Sequence, residues 1–467
     1  MKWAEKPMKK SAMAVMIYTY NDLIYHRRHD MHFLAVDIGS SYIKSALLET
    51  GSMTITEVVK IPSPQRLPNA NPYAYEVDAA VLYQTFEAVI TPYLDRHKSI
   101  SGLLLSTQMH GCVVSTGGSD IYISWQDTMC LAEDPGTGNR YLDRLRSLFR
   151  PEDYADSGIP IKPASAFCNL YARNRSVPFP QDTPLFTLGS YVIYRMTGKN
   201  ICHITNAAPM GMVNLRERKW RYDLWDRAGL NMFIMPEITT DFKPCSTFLY
   251  KGRNLAVFPD IGDQQAAMLG MGVQKGDVAV NIGTAGQIIR ISDVFTVADY
   301  EIRPFLPGLF LEVISRMPSG RNFDVVVNFI SEIGQEIFHC TPEKKEIWEN
   351  LYREFSLDNA EGLEADISFY DQPDRLADGS IRHINNNNLT LRNLMSALLC
   401  DLGMVYAHYL NVLCKDEKPE RLLFCGGAVA NNPMIMSAVG KATGIPTKLF
   451  KGDEVMTGLL KISDSYF

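Results

Sequence analysis

The chain has no CxxC pair, which excludes the common zinc and thiol–disulfide motifs. Its nine cysteines, Cys112, Cys130, Cys168, Cys202, Cys245, Cys340, Cys400, Cys414 and Cys425, are odd in number and scattered. They frame no disulfide scaffold, and free thiols in a reducing cytoplasm are the expectation. No uncharged apolar run approaches the ~20 residues of a bilayer span. The nearest, Leu394 to Leu413, is interrupted by Asp401 and reads as an amphipathic helix. Charge of one sign is also scarce: 46 Lys and Arg against 52 Asp and Glu leave a net −6. That balance argues against a nucleic-acid binder relying on a general basic field. A Walker A glycine loop is missing, which counts against a P-loop enzyme. Gly270-Met271-Gly272 followed by Gly276 has the wrong spacing for a dinucleotide loop and reads as helix-end glycines.

What is present is a globular composition, 46% hydrophobic and 21% charged over 467 residues. At about 150 residues per domain the length suits two or three domains. Residues 1–30 combine Lys2, Lys6, Lys9 and Lys10 with a short apolar stretch, Ala12 to Tyr18, and so resemble a signal peptide. The apolar core is short, and no small-residue cleavage site follows. The better reading is an N-terminal extension or an upstream start codon, with the folded region beginning at Met31.

From there the pattern is strand-rich. Phe33–Asp37 and Ile43–Leu48 are apolar runs joined by Gly39-Ser40-Ser41, which predicts a hairpin. Val58–Ile61 offers a third strand. Asp78–Tyr93 carries apolar residues at helical spacing, and Leu103–Ser106 reads as a buried strand entering Thr107-Gln108-Met109-His110-Gly111. Residues 120–255 mix helices with loops. One internal echo stands out: Val36-Asp37-Ile38-Gly39-Ser40 recurs as Val280-Asn281-Ile282-Gly283-Thr284. If the echo is a duplication, two related α/β halves each offer one Gly-hydroxyl turn, and facing halves put both at a shared cleft.

Such a turn suits phosphate. Glycine lets the backbone approach closely, and successive N–H groups converge on an anion. Ser40 and Thr284 add hydroxyls and Lys44 a cation. Asp37, before the turn, fits phosphate only through a cation such as Mg²⁺, which binds one or two carboxylates plus phosphates. The set therefore suggests a Mg²⁺-nucleotide, against the plainer alternative of a solvated hairpin turn.

Five segments occur in order: Asp37-Ile-Gly-Ser-Ser-Tyr-Ile-Lys44, Gln108-Met-His-Gly111, Trp125-Gln-Asp127, Gly262-Asp-Gln-Gln-Ala-Ala267 with Asn281-Ile-Gly-Thr-Ala-Gly286, and Cys425-Gly-Gly-Ala-Val-Ala-Asn-Asn-Pro433. Together, over about residues 31–467, they resemble the FGGY family of carbohydrate kinases. Within it, Trp125-Gln-Asp127, Glu301-Ile-Arg-Pro-Phe305 and Leu376–Leu391 are most similar to the sedoheptulokinases. The resemblance implies an α/β fold of the duplicated actin/Hsp70/hexokinase (ribonuclease H-like) type. Its first domain would span 31–272 and bind sugar and phosphate; its second would span 273–467 and bind nucleotide.

It further implies ATP and Mg²⁺ as cofactors and a ketose phosphorylated on a terminal hydroxyl, sedoheptulose first and xylulose or another ketose second. Asp37 would hold the metal. Gly39, Ser40 and Lys44 match the first phosphate loop, Gly283 and Thr284 the second, and Gly426, Gly427 and Asn431 the nucleotide turn. Asp263 matches the catalytic base. Gln108, Met109, His110, Trp125, Asp127 and Gln264 match the sugar pocket. The expected partner is the small sugar, with no nucleic acid or membrane; a homodimer is one open assembly.

Plainer readings stand beside these. Asp263 is also a natural helix cap, and Asp260 is a rival carboxylate. His110 suits a polar contact to sugar or backbone. Trp125 either stacks on sugar or fills core, and Asp127 either binds a hydroxyl or pairs with a cation. Met129 stands where the family often has Arg, His203 where it has an acid, and Ser319-Gly320 where a glycine pair is expected. Other classes remain: a nucleotide-dependent ATPase or interaction module, and a catalytically inactive sugar-binding regulator.

Overall fold

The computed structural model describes residues 31–465 apart from 117, 284, 355, 356, 358, 359 and 416. The 1–30 extension and Thr284 therefore lie outside the described residues. His32–Ile38 and Tyr42–Glu49 form the expected antiparallel hairpin, with Asp37 opposite Lys44. Thr54–Pro62 adds the third strand. On the other side, Ile100–Thr107 pairs parallel to the first strand, connected through the helix Ala79–Arg96. Asp78 caps that helix by accepting from the Ala80 and Val81 amides. Strands Ser246–Tyr250, Arg253–Val257 and Ile261–Gly262 complete a seven-stranded sheet.

The echo is matched by topology. Asp277–Ile282 and Gly286–Ser292 form a second antiparallel hairpin, extended by Phe310–Met317. Arg421–Cys425 lies parallel to Asp277–Ile282, as Ile100–Thr107 does to His32–Ile38. Both hairpin tips thus emerge at corresponding ends of their sheets.

The segment 112–234 is more ordered than the sequence suggested. Short strands Phe233–Ile234, Thr183–Phe186, Cys112–Thr116, Ser119–Ile123 and Glu76–Asp78 make a five-stranded sheet, surrounded by helices such as Ala166–Ser176 and Leu188–Thr197.

A core lies between the two large sheets. It joins Phe33, Ala35, Leu48 and Leu104 of the first to Ala279, Ile289, Val313 and Leu423 of the second. Helices Asp263–Met271 and Glu454–Ser465 run through it, contributing Met268, Met456 and Leu459. They cross closely because Gly270 and Gly458 meet there: an added methyl at Gly458 would lie 2.0 Å from the Ala266 carbonyl oxygen. The last helix, though late in sequence, therefore sits against the first strand's half.

The cysteines form no disulfide among the described residues. Leu391–Cys414 is long and apolar enough to cross a bilayer, but Leu398, Leu399, Leu402 and Tyr406 are buried in the second half's core.

Candidate active site

Asp37 is the penultimate residue of its strand and sits between Ser106 on the parallel neighbour and Lys44 on the antiparallel one. Ser106 Oγ donates to its carboxylate at 3.0 Å, and Lys44 Nζ lies 3.8 Å away. Lys44 also reaches Asp453, at the start of the last helix, at 3.0 Å. Burial pushes the Asp37 carboxyl up to about 7 despite Lys44; the charges of Asp263 and Asp453 add to the shift. The turn that follows is tight, with Gly39 N–H donating to the Tyr42 carbonyl at 3.0 Å. Ser40 at its tip is exposed.

The other half supplies two backbone turns side by side. Gly283 leaves its strand at the second tip, and its carbonyl accepts from Gly320 N–H at 3.3 Å. Gly426 follows Arg421–Cys425 with φ +101°, and an added methyl would lie 2.6 Å from the Ile282 carbonyl. This position requires glycine on both counts. Gly427 faces open space, and Gly427 and Asn431 are exposed on the short helix Gly427–Asn431. A methyl at Gly320 would touch Ala428 and the Gly283 carbonyl, so the three turns converge. Of the expected glycine pair, Ser319 caps the next helix, Gly320–Phe338, reciprocally with Asn322.

Asp263 begins the helix Asp263–Met271, and Gly262 caps it from the short strand Ile261–Gly262. Ile261 and Asp37 both lie opposite Ser106, on either side of Ile100–Thr107. Asp37 and Asp263 thus leave strand ends that flank the same central strand, close enough for the Asp263 charge to be felt at Asp37. Burial raises the Asp263 carboxyl to about 6, against the Gln264 amide and the Arg303 charge. The Gln264 N–H donates to Asp263 Oδ1 at 2.8 Å. The rival Asp260 is fully buried and engaged by Thr187 Oγ1, the His203 amide and Asn206 Nδ2 at 2.8–3.0 Å. It is a structural hub, and His203 belongs to it through its backbone.

Beside Asp263 lies a network that the sequence reading did not assign. Gln264 donates to Gln287 Oε1 at 2.8 Å and accepts from Arg303 Nη1 at 2.7 Å. Arg303 pairs with Glu301 at 2.6 Å, and Lys162 of the first half pairs with the other Glu301 oxygen. Despite burial, Arg303 and Lys162 hold the Glu301 carboxyl well below the usual range. Glu301-Ile-Arg-Pro-Phe305 was visible as a motif, but nothing in the sequence joins it to Lys162. His110, at φ +71°, places Nδ1 3.1 Å from the Pro209 carbonyl, so Nδ1 carries the proton and Nε2 is an acceptor. Burial, with Lys162 and Arg303, pushes its pKa well below the ordinary value and keeps it neutral. Gln108 is buried, and its Oε1 has no partner among the described residues. Met109 packs against Gly262.

Trp125 keeps 40% of its surface exposed. Asp127 is fully buried, and its carboxylate is engaged by Arg173 and by the Tyr75 and Met129 amides. Of the two uses left open for Asp127, the cation pair is the one present. Arg173 supplies that guanidinium from the helix Ala166–Ser176.

A family model described as "FGGY family of carbohydrate kinases, N-terminal domain" matches residues 32–270. The chain belongs to the FGGY family of carbohydrate kinases. A probable glycerol kinase of Caenorhabditis elegans is 24% identical over 255 residues, 50% of this chain and 49% of that protein. A xylulose kinase of Staphylococcus xylosus is 24% identical over 290 residues, 58% and 56% of the two chains. The chain thus spans about half the length of these FGGY relatives. Among solved structures, a Rhodospirillum rubrum xylulose kinase superposes with TM-score 0.78 at 18% identity, covering 92% of this chain and 89% of that one. Plasmodium falciparum glycerol kinase with ADP gives 0.76 at 14%, covering 93% and 89%. At these identities the likeness is one of fold: the two-domain, actin-like architecture of the FGGY sugar kinases.

Proposed function

We propose that the protein transfers the γ-phosphoryl group of ATP, delivered with Mg²⁺, to a terminal hydroxyl of a ketose. Sedoheptulose is the leading acceptor and xylulose the second. The observation that carries this reading is that Asp37 and Asp263 leave strand ends on either side of Ile100–Thr107, with the backbone turns at Gly39, Gly283 and Gly426 available to phosphates.

The residues fit a magnesium ion. Asp37 is a buried carboxylate near Asp263 and Asp453, with Lys44 the cation between Asp37 and Asp453. That acidic excess favours a bound cation, and Mg²⁺ takes few protein ligands when phosphates supply the rest. Magnesium would neutralise charge on the phosphates. Asp37 would hold the metal, and Lys44 and the turn amides of Gly39 and Gly283 would orient the phosphoryl group.

Asp263 is the proposed general base. It accepts the proton as the sugar hydroxyl attacks, and its raised pKa keeps it a better base than a surface aspartate while leaving it ionised at neutral pH. Gln264 would orient the hydroxyls, held by Arg303 and Gln287. The neutral His110 Nε2 and the unpartnered Gln108 Oε1 offer acceptors for other sugar hydroxyls. Residues 31–272 and 273–467 would act as two lobes that close to exclude water.

Sedoheptulose rests on the Trp125-Gln-Asp127 and Glu301–Phe305 segments. The test is ADP formation with Mg-ATP across a panel of ketoses and polyols. Sugar-stimulated release, strongest with sedoheptulose, is expected. A preference for a five-carbon ketulose overturns the substrate choice, and release indifferent to every sugar overturns the kinase reading.

A further inference from the structure

Arg316 has a left-handed backbone, φ +64°, inside the strand Phe310–Met317. That conformation is uncommon for arginine, and such outliers concentrate at functional sites. Its origin is a bulge: Met317 pairs with Gly286 and Ile314 with Ile288, so Ser315 and Arg316 together stand opposite Gln287. Ile288, Ile314 and Met317 turn into the second half's own core, whereas Ile289 and Val313 face the core between the two large sheets. Gln287 shares the face of Ile289 and holds Gln264, the residue after Asp263.

The bulge therefore stands between two parts of the site. On one side is the Gln264–Gln287 pair next to Asp263. On the other, the strand runs through Met317 and Pro318 to Gly320, whose N–H meets the Gly283 carbonyl at the second tip. Arg316 is exposed and has no hydrogen-bond or ion-pair partner among the described residues. The neighbouring cations are engaged, Lys44 by Asp37 and Asp453, Lys162 and Arg303 by Glu301. Burial lowers the Lys162 pKa, and the charges of Arg303 and Arg316 add to the shift. The Arg316 charge is thus felt across the cleft.

We infer that Arg316 is a catalytic residue that donates hydrogen bonds to the phosphoryl group in transit between ATP and the acceptor hydroxyl. This rests on the kinase reading of the same site. In the transfer the acceptor oxygen bonds to phosphorus, the bond from phosphorus to the ADP oxygen breaks, and the hydroxyl proton passes to Asp263. Charge is then spread over three equatorial phosphoryl oxygens. Those oxygens lie between the base and the phosphate turns, which is where the bulge stands. A planar guanidinium fork matches two of them and stays protonated throughout. No ion pair has to break before it can act. Because Arg316 stands beside the Asp263 end of the path, its contact strengthens as the phosphoryl group moves toward the acceptor. Its loss therefore shows in kcat rather than in nucleotide affinity.

The experiment compares wild type, Arg316→Gln and Arg316→Gly with Mg-ATP and the best acceptor of the ketose panel. Calorimetry supplies the affinities for acceptor, for ADP, and for ADP with aluminium fluoride and acceptor, which imitates the phosphoryl group in flight. Glutamine should lower kcat by about 10²-fold, the effect of removing one transition-state donor. Acceptor and ADP affinities should stay within about threefold, while the aluminium fluoride complex weakens in step with kcat. Glycine suits the positive φ, so the Tm of Arg316→Gly should stay level or rise, and millimolar guanidinium chloride should restore part of its lost rate. An unchanged kcat, a loss confined to acceptor or ADP affinity, or an aluminium fluoride complex as tight as in wild type overturns the assignment. So does a lower Tm for Arg316→Gly or the absence of guanidinium rescue. Wild type that phosphorylates no sugar overturns the kinase reading and this role together, whereas wild type that turns over while both variants keep its kcat overturns this role alone.

Discussion

Arg303 Nη1 donates to Gln264 Oε1 at 2.7 Å, joining the strand Glu301–Pro304 of the second half to the helix that begins with Asp263. The same guanidinium lowers the Asp263 pKa against the stronger effect of burial. Replacing Arg303 with Met should therefore do two things. The acceptor KM should rise about tenfold, as expected for a lost buried charged hydrogen bond. The acid limb of kcat/KM should move upward, because removing a positive charge makes the Asp263 carboxyl harder to ionise. Steady-state pH profiles check this; an unmoved limb contradicts the electrostatic role.

For wild type, kcat/KM at saturating magnesium should rise with pH through about 6 and level off above it, following Asp263 ionisation. A bound metal keeps Asp37 ionised across that range. A profile flat from pH 5 to 8 argues against an aspartate base raised by burial.

The same shift has a cost in stability. A carboxyl whose folded pKa lies above its unfolded value favours folding at low pH and loses that contribution as pH rises through the folded pKa. Between about pH 4 and 6 the metal-free protein should therefore lose the Asp263 contribution as pH rises. Asp263→Asn retains the acceptor for the Gln264 amide and removes the buried charge. It should stabilise the metal-free protein at pH 7.5 by on the order of 1–2 kcal/mol, read as a Tm increase of a few degrees. A lower Tm contradicts the burial argument.

Gly458 tests the packing that carries the last helix between the sheets. Gly458→Ala places a methyl 2.0 Å from the Ala266 carbonyl oxygen, which is backbone and yields little. A loss of about 1–3 kcal/mol is expected from overpacking, measured by denaturant unfolding. Activity should fall with it, because the helix start holds Asp453 against Lys44.

Much of this was readable from the chain. Phe33–Asp37 and Ile43–Leu48 alternate around a glycine turn, and Asp78 precedes a periodic apolar run, so local rules decide both elements. The echo at Val280–Thr284 was legible because strand, glycine and return strand form a local pattern. The five-stranded sheet was not, since strands of two to five residues carry too little periodicity. Lys162 and Glu301 are 139 positions apart, and each charge alone looks like ordinary surface. Asp127 was seen, but its Arg173 partner comes from a helix that sequence spacing does not bring near.

In the proposed reaction Asp263 takes the proton from the attacking hydroxyl. Single-turnover formation of sugar phosphate by wild type and Asp263→Asn, with acceptor and Mg-ATP binding measured on both, tests it directly. Binding within threefold of wild type and a rate lower by about 10²–10⁴-fold are expected. A variant that binds both substrates and transfers phosphate within threefold of the wild-type rate would contradict it.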